Sequence, residues 1–424
     1  MAVIIVLAAL VFVWSVVAGR VERLDVTGPI VFVVAGLLLC NGPTGFLAIS
    51  IETAGVHSIA EVTLVLLLFA DAARVDPGDL RRRAGMPIRL LAIGLPLTIA
   101  AGFGLAAAIF TDLPWQLAAL LGAVLAPTDA ALSAAVVSDA RVPVDLRRSL
   151  NVESGLNDGI ATPVVTTCIA AAAAVIGTGL LPDTASHPGS AALIDIVGAA
   201  AIGAAVGFIG GLLLRRAGTA GWITPGGRPV AVLMLAIAAF AISRQLDVNY
   251  FVAAFVAGLA LRGAIGHDDA EATELPELLG RILSLVVWFL FGAALLVDGL
   301  ERVDWRIAVY AVLSLTIVRM GPVALAMVGS GSDRRSTLFV GWFGPRGLAT
   351  VVFGLLIVEE LPLADPGIQT VVATMVLTVL LSVLAHGATG RPLAAWMGRH
   401  HPEADAGPGA EPPRPRSPFG QPPP

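Results

Sequence analysis

LAALLGAVLAPTDAALSAAVV, residues 117–137, is an apolar run broken at its centre by Pro127, Thr128 and Asp129. About 20 such residues suffice to cross a bilayer as a helix. Pro127 removes a backbone donor and crowds the preceding turn, so the helix is expected to unwind there. In hydrocarbon, freed backbone groups are tolerated only where protein or a wet cavity satisfies them. A second interrupted run, LFVGWFGPRGLATVVFGLL at 338–356, carries Gly344, Pro345, Arg346 and Gly347 at its centre. Paired interruptions in the two halves of a chain point to a binding site at the bilayer midplane. Two plain proline kinks are the bland alternative, but each break here also carries a charge, which membrane helices rarely hold without a use.

Around these breaks the composition excludes an ordinary soluble domain. Mean hydropathy is +0.87, and 57% of residues are hydrophobic with only 13% charged, against about 25% charged in soluble proteins. The expected class is an all-α polytopic membrane protein whose principal partner is the lipid bilayer. A net charge of −5 then says little about other partners, and no nucleic acid is expected. Cys40 and Cys168 both fall in apolar runs, so neither a disulfide framework nor a zinc site is expected. The histidines show no metal spacing, and no cofactor is expected.

Cutting at polar, Pro and Gly clusters predicts thirteen apolar segments: 2–19, 26–40, 58–73, 87–110, 115–139, 150–176, 191–214, 228–246, 248–265, 281–299, 305–328, 337–358 and 368–390. The first reads as a span rather than a signal peptide, because its arginines follow the apolar run. All 26 basic residues are arginine, and giving alternate loops to one side places 21 of them there, the segment after 390 included. The opposite loops hold only Arg244, Arg302 and Arg306. Arginine marks the cytoplasmic side, so the N-terminus is expected outside and the C-terminus inside. Residues 1–400 read as one transmembrane unit. Residues 401–424, rich in proline and poor in aliphatic side chains, read as a disordered cytoplasmic tail.

The sixth segment opens NVESGLNDGIATPVV, residues 151–165. Ser154 and Asp158 are four apart and share a helix face, which Asn157 borders. Glu153 lies about 140° round from Asp158 and needs a partner elsewhere. Pro163 frees the carbonyl of Gly159. Four carboxylates, Asp71, Asp129, Glu153 and Asp158, lie at membrane depth, against two cations, Arg319 and Arg346. Each charge there costs on the order of 2.5–3.5 kcal/mol. At most two acids can be neutralised as ion pairs; the rest must be protonated, bind a mobile cation, or alternate. Glu153 is expected to be structural, with Arg319 its first candidate partner and Arg346 the second, unless Arg346 satisfies carbonyls at its break. Asp129 could cap the second half-helix. Asp71 sits near the cytoplasmic end of its segment, where a solvated interfacial acid is the alternative. His386 reads as a hydrogen-bonded packing residue.

APTDAA (126–131), ESGLNDG (153–159) and GPRG (344–347) together resemble the bacterial branch of the monovalent cation:proton antiporter family 1, the sodium/proton exchangers. The resemblance covers about 390 residues and implies a thirteen-span homodimer with inverted repeats and two crossed discontinuous helices. It implies a core bundle over approximately 87–176 and 305–398, moving against a dimerisation scaffold over approximately 1–73 and 191–299. It further implies antiport of a monovalent cation, Na⁺, Li⁺ or K⁺, against H⁺. Asp158 matches the carboxylate that carries proton and cation in turn. Asn157 matches the amide of an Asn-Asp pair found in electroneutral exchangers. Ser154 and the Thr128 carbonyl match cation ligands. Asp129 matches a residue acting through water or capping the crossing, which also contains Pro127, Gly344, Pro345, Arg346 and Gly347. Glu153 matches an acid paired with an arginine of the eleventh span. Asp71 departs from the pattern, reading Phe-Ala-Asp-Ala where relatives read Phe-Glu-Ala-Gly or Leu-Asp-Ala-Gly, so its place on the cation path is the weakest carry-over.

Two rival classes use the same acids. An intramembrane aspartyl protease would employ Asp129 and Asp158, yet neither a Tyr-Asp nor a Gly-x-Gly-Asp signature occurs. A cation channel would use acids in rings without coupling to protons. The preferred ion is not legible, since cavity size rather than ligand type separates Na⁺ from K⁺.

Overall fold

The computed structural model describes residues 2–22, 26–41, 47, 54–75, 85–129, 132–177, 188–224, 226–266 and 270–400. The expected tail at 401–424 lies outside the described residues. These fold into helices alone. They are α1 (Ala2–Val21), α2 (Gly28–Asn41), α3 (Ala54–Arg74), α4 (Gly85–Ile109), α5 (Trp115–Val124), α6 (Ala134–Val137), α7 (Val144–Ile176), α8 (Pro188–Thr219), α9 (Gly227–Gln245), α10 (Tyr250–Ile265), α11 (Glu274–Glu301), α12 (Trp305–Ala326), α13 (Arg334–Trp342), α14 (Leu348–Glu360) and α15 (Pro366–His400). Among the described residues, eight helices are long and apolar enough to cross a membrane, and α2, α5 and α10 are shorter apolar helices.

A helix lies over every predicted apolar segment, and both expected breaks are present. α5 stops at Val124, and among the described residues after its break Ala134–Val137 is the helical part, shorter than the apolar pattern suggests. The second break separates α13 from α14 at Phe343–Gly347. Irregularities within three helices were not expected: α4 and α11 each hold a π-helical turn, at Leu90–Gly94 and Phe291–Leu295. α12 is disturbed at Thr316, whose φ of −111° and ψ of −89° lie outside the helical region. α7, by contrast, runs unbroken for 33 residues despite Pro163. At 1.5 Å per residue it is about 50 Å long, well beyond the ~30 Å hydrocarbon core. Two hydroxyls back-bond along it, Thr162 to the Asp158 carbonyl at 2.6 Å and Thr167 to that of Pro163 at 2.7 Å, neither being the Gly159 carbonyl that Pro163 frees.

Apolar side chains cover the outside as well as the core. Phe12 and Val16 of α1, and Leu193, Ile194 and Phe208 of α8, are exposed, as lipid-facing positions must be when the solvent is hydrocarbon. Two groups of helices form the interior. α8 lies along α10, α10 against α3, and α3 against α11, which also packs on α2. The other group joins α4 to α5, α5 to α7, and α12 and α14 to α15. The groups meet where α7 and α14 touch α3, and where α7 touches α10. The polar stretch of α7 lies at that seam.

Candidate ion-binding site

The backbone groups freed by the two breaks satisfy one another. Asp129 N–H donates to the Pro345 carbonyl at 2.8 Å, and the Leu348 N–H donates to Asp129 Oδ2 at 2.9 Å. Leu348 opens α14, whose first amides have no partner within the helix. Asp129 therefore caps the second half of the other broken helix. The expectation of a cap is corrected in its target: α6 begins at Ala134, too far along the chain, whereas the crossing brings Leu348 alongside. Gly347 permits this approach, because a Cβ there would overlap the Asp129 carboxylate.

Arg346 completes the crossing. Fully buried, it donates from Nε to the Leu125 carbonyl at 2.6 Å, from Nη1 to Gly344 at 2.7 Å and from Nη2 to Ser314 at 3.3 Å. Ser314 lies beside the Thr316 irregularity of α12. Thr350 Oγ1 adds a bond to the Val124 carbonyl at 3.0 Å. Arg346 thus serves the carbonyls of the breaks rather than an acid. The partner of Glu153 is Arg319, with Nη1 2.6 Å from Oε1 and Nη2 2.9 Å from Oε2, and the two side chains are 1% and 2% exposed. Both intramembrane arginines are thereby committed.

α7 presents its other face to the first break. Ser154 Oγ donates to the Thr128 carbonyl at 2.5 Å, and Asn157 Nδ2 donates to Thr128 Oγ1 at 2.6 Å. Thr128 Oγ1 and Ser154 Oγ are 3.5 Å apart. Asp158 follows on the same side. Among the described residues no arginine pairs with it, and its Oδ1 is buried without a hydrogen bond, as is Asn157 Oδ1. The charges that reach Asp158 are those of two more acids, Asp129 and Asp71. Asp71 is half-buried and faces α7: a Cβ on Gly155 would lie 3.6 Å from its Cβ. Asp71 thus lies on the seam beside α7. Beside Asp158, Gly159 accommodates the ring of Phe255 from α10, which a Cβ would strike.

The crossing and α7 thus bring Thr128, Ser154, Asn157 and Asp158 together, with Asp129 bound into the crossing and Asp71 approaching from α3. Glu153 and Arg319 stand on a separate face. Thr350, Ser314 and Ser382 were not singled out from the sequence; a hydroxyl inside an apolar run was the available signal, and such hydroxyls commonly bond only their own helix. Buried oxygens with no cation of their own suit a hard ion, which takes oxygen ligands. Unpaired carboxylates can equally take a proton.

Two interrupted helices crossing beside a half-buried acid with no arginine partner among the described residues make the arrangement of a secondary transporter. The chain belongs to the sodium/hydrogen exchanger family: the profile described as sodium/hydrogen exchanger, transmembrane, matches residues 6–396. It is 25% identical over 400 residues to the K(+)/H(+) antiporter NhaP of Alkalimonas amylolytica, covering 93% of this chain and 66% of that one. With the Na(+)/H(+) antiporter NhaP of Pseudomonas aeruginosa it shares 29% identity over 353 residues, 78% of each chain. The chain spans just under two thirds of the length of the first of these relatives and 62% of the K(+)/H(+) antiporter NhaP2 of Shewanella baltica. The fold is that of the sodium proton antiporter MjNhaP1 from Methanocaldococcus jannaschii, with a TM-score of 0.75 at 20% identity over 94% of this chain and 99% of that one. This is a multi-pass membrane protein with the sodium/proton antiporter fold.

Proposed function

We propose that the chain exchanges a monovalent cation for H⁺ across the cytoplasmic membrane, with both ions competing for Asp158. The observation that carries this reading is the commitment of both intramembrane arginines elsewhere, Arg319 to Glu153 and Arg346 to backbone carbonyls, which leaves Asp158 with only acids for charged neighbours. An ionised acid so placed cannot cross a hydrophobic barrier cheaply. Loading with either Na⁺ (or Li⁺ or K⁺) or H⁺ neutralises it, and the loaded site moves while the empty charged one stays. Ser154, Asn157 and Thr128 supply the further oxygens, Asp71 lies on the route, and Asp129 holds the crossing together. The Asn-Asp pair supports electroneutral exchange. Such an activity would serve pH and cation homeostasis.

The helices of 87–176 and 305–398 are the moving core in this reading, and those of 1–73 and 191–299 a scaffold that pairs two copies as a homodimer. The N-terminus lies outside. The relatives named as K(+)/H(+) and Na(+)/H(+) antiporters support the substrate class and leave the choice of cation open. The protease alternative would need Asp129 as its second acid, whose Oδ2 accepts from the Leu348 amide that opens α14.

The test is exchange in proteoliposomes carrying a pH-sensitive dye. Addition of Na⁺, Li⁺ or K⁺ should move protons in the wild type, while Asp158→Asn should remain folded and show no coupled flux. Near-native exchange by Asp158→Asn would defeat the assignment, and cation flux without proton movement would indicate a channel.

A further inference from the structure

The break at Phe343–Gly347 leaves polar backbone groups that must all be placed, because an unpaired one in hydrocarbon costs several kcal/mol. Asp129 takes the Pro345 carbonyl and the Leu348 amide, and the Arg346 side chain takes the Gly344 carbonyl. Two groups at opposite ends of the break go to α15. The Arg346 N–H donates to Ser382 Oγ at 2.7 Å. The Trp342 carbonyl, which also accepts from the Gly344 N–H at 2.8 Å, lies 2.8 Å from His386 Nε2. Ser382 and His386 are one turn apart on α15, and both are buried. Thr389, on the same face, accepts the Trp342 indole N–H at 2.9 Å, while the imidazole stacks on that indole with centroids 5.1 Å apart.

The two side chains also connect to each other. His386 Nδ1 lies 2.8 Å from the Ser382 carbonyl and 3.3 Å from Ser382 Oγ. A neutral imidazole offers one donor and one acceptor. With the proton on Nε2 the ring donates to the Trp342 carbonyl, and with it on Nδ1 to the Ser382 carbonyl. Ser382 under the Arg346 N–H and His386 beside the Trp342 carbonyl thus tie both ends of the unwound stretch to one turn of α15.

We propose that Ser382 and His386 are positioning residues for exchange: they clamp the backbone of the second break so that Pro345 and Leu348 meet Asp129, and so set the place of Thr128. Thr128 adjoins Asp129 in sequence and receives Ser154 and Asn157, so slack in the break reaches the oxygens around Asp158. This inference rests on the antiport reading and goes beyond it, since neither side chain touches the proposed ion.

The experiment is cation-dependent exchange by the purified full chain in proteoliposomes, with half-saturation and maximal rate measured separately. Absence of exchange in the wild type would be a failure of the antiport reading itself. With an active wild type, Ser382→Ala should raise the half-saturating cation concentration about tenfold, as expected for leaving the buried Arg346 N–H without its partner, and His386→Leu, which leaves the Trp342 carbonyl only the Gly344 N–H, should raise it about threefold or more. The maximal rate should change less. His386→Gln, which keeps an N–H at the reach of Nε2, should return to within about threefold of wild type, and Ser382→Thr, which keeps the hydroxyl, should do likewise. Should His386→Leu fail to fold, the Ser382 pair decides. Unchanged half-saturation in Ser382→Ala, or equal impairment of folded His386→Gln and His386→Leu, would overturn the proposal.

Discussion

Replacement of either member of the Glu153–Arg319 pair should be among the most damaging single changes in this protein. The two groups meet through both carboxylate oxygens and are 1% and 2% exposed, so solvent screens the interaction little. Breaking a buried pair from one side leaves an uncompensated charge and costs about 3–5 kcal/mol. Replacing both partners removes the charge along with its partner and can be nearly neutral. Glu153→Gln and Arg319→Met should therefore each destabilise by about 3–5 kcal/mol, and the double variant by less than their sum, with a coupling of up to about 3 kcal/mol. Arg319 also lies against Gly344, where a Cβ would enter its guanidinium, so Gly344→Ala should weaken the same pair. Denaturant unfolding in detergent, followed by helical circular dichroism, gives all four corners of the cycle. Single losses under about 1 kcal/mol, or strict additivity, would refute a buried and coupled pair.

Asp129→Ala should cost about 0.5–2 kcal/mol through the lost cap on α14, and Asp129→Asn much less, since an amide oxygen still accepts from Leu348; equal unfolding midpoints for the two would count against the cap. Gly347→Ala should destabilise by about 1–3 kcal/mol because the new Cβ overlaps the Asp129 carboxylate, and native stability would show that the crossing yields without cost. Competition at Asp158 has a signed pH dependence. Where the site is mostly protonated, the half-saturating cation concentration should fall by about tenfold per unit rise in pH, and a half-saturation flat in pH would exclude a shared site. In the loop before α7, Arg141 holds the Asp139 carboxyl below its ordinary range, chiefly by a side-chain hydrogen bond. That contribution is present above the ordinary carboxylate pKa and is lost as pH falls through the lowered one. Asp139→Asn should accordingly leave exchange unaltered at neutral pH, and a large neutral-pH defect would give Asp139 a part in transport.

The sequence alone determined the solvent, the apolar segments, the two breaks and the excess of acids over cations, because each follows from hydropathy, helix-breaking chemistry and a count of charges. The azimuth of Ser154, Asn157 and Asp158 was also legible, since helical periodicity places residues four apart on one face. Partners across helices were not. Which arginine takes Glu153, where Asp129 directs its carboxylate, and whether Asp71 meets water or α7 depend on which faces meet after packing, and periodicity carries no information about the neighbour. Ser382, Thr350 and the partners of His386 were hidden for the same reason. Only the crossing of the two broken helices decides these roles, because in hydrocarbon every freed amide and carbonyl must find a partner, and tertiary packing selects it.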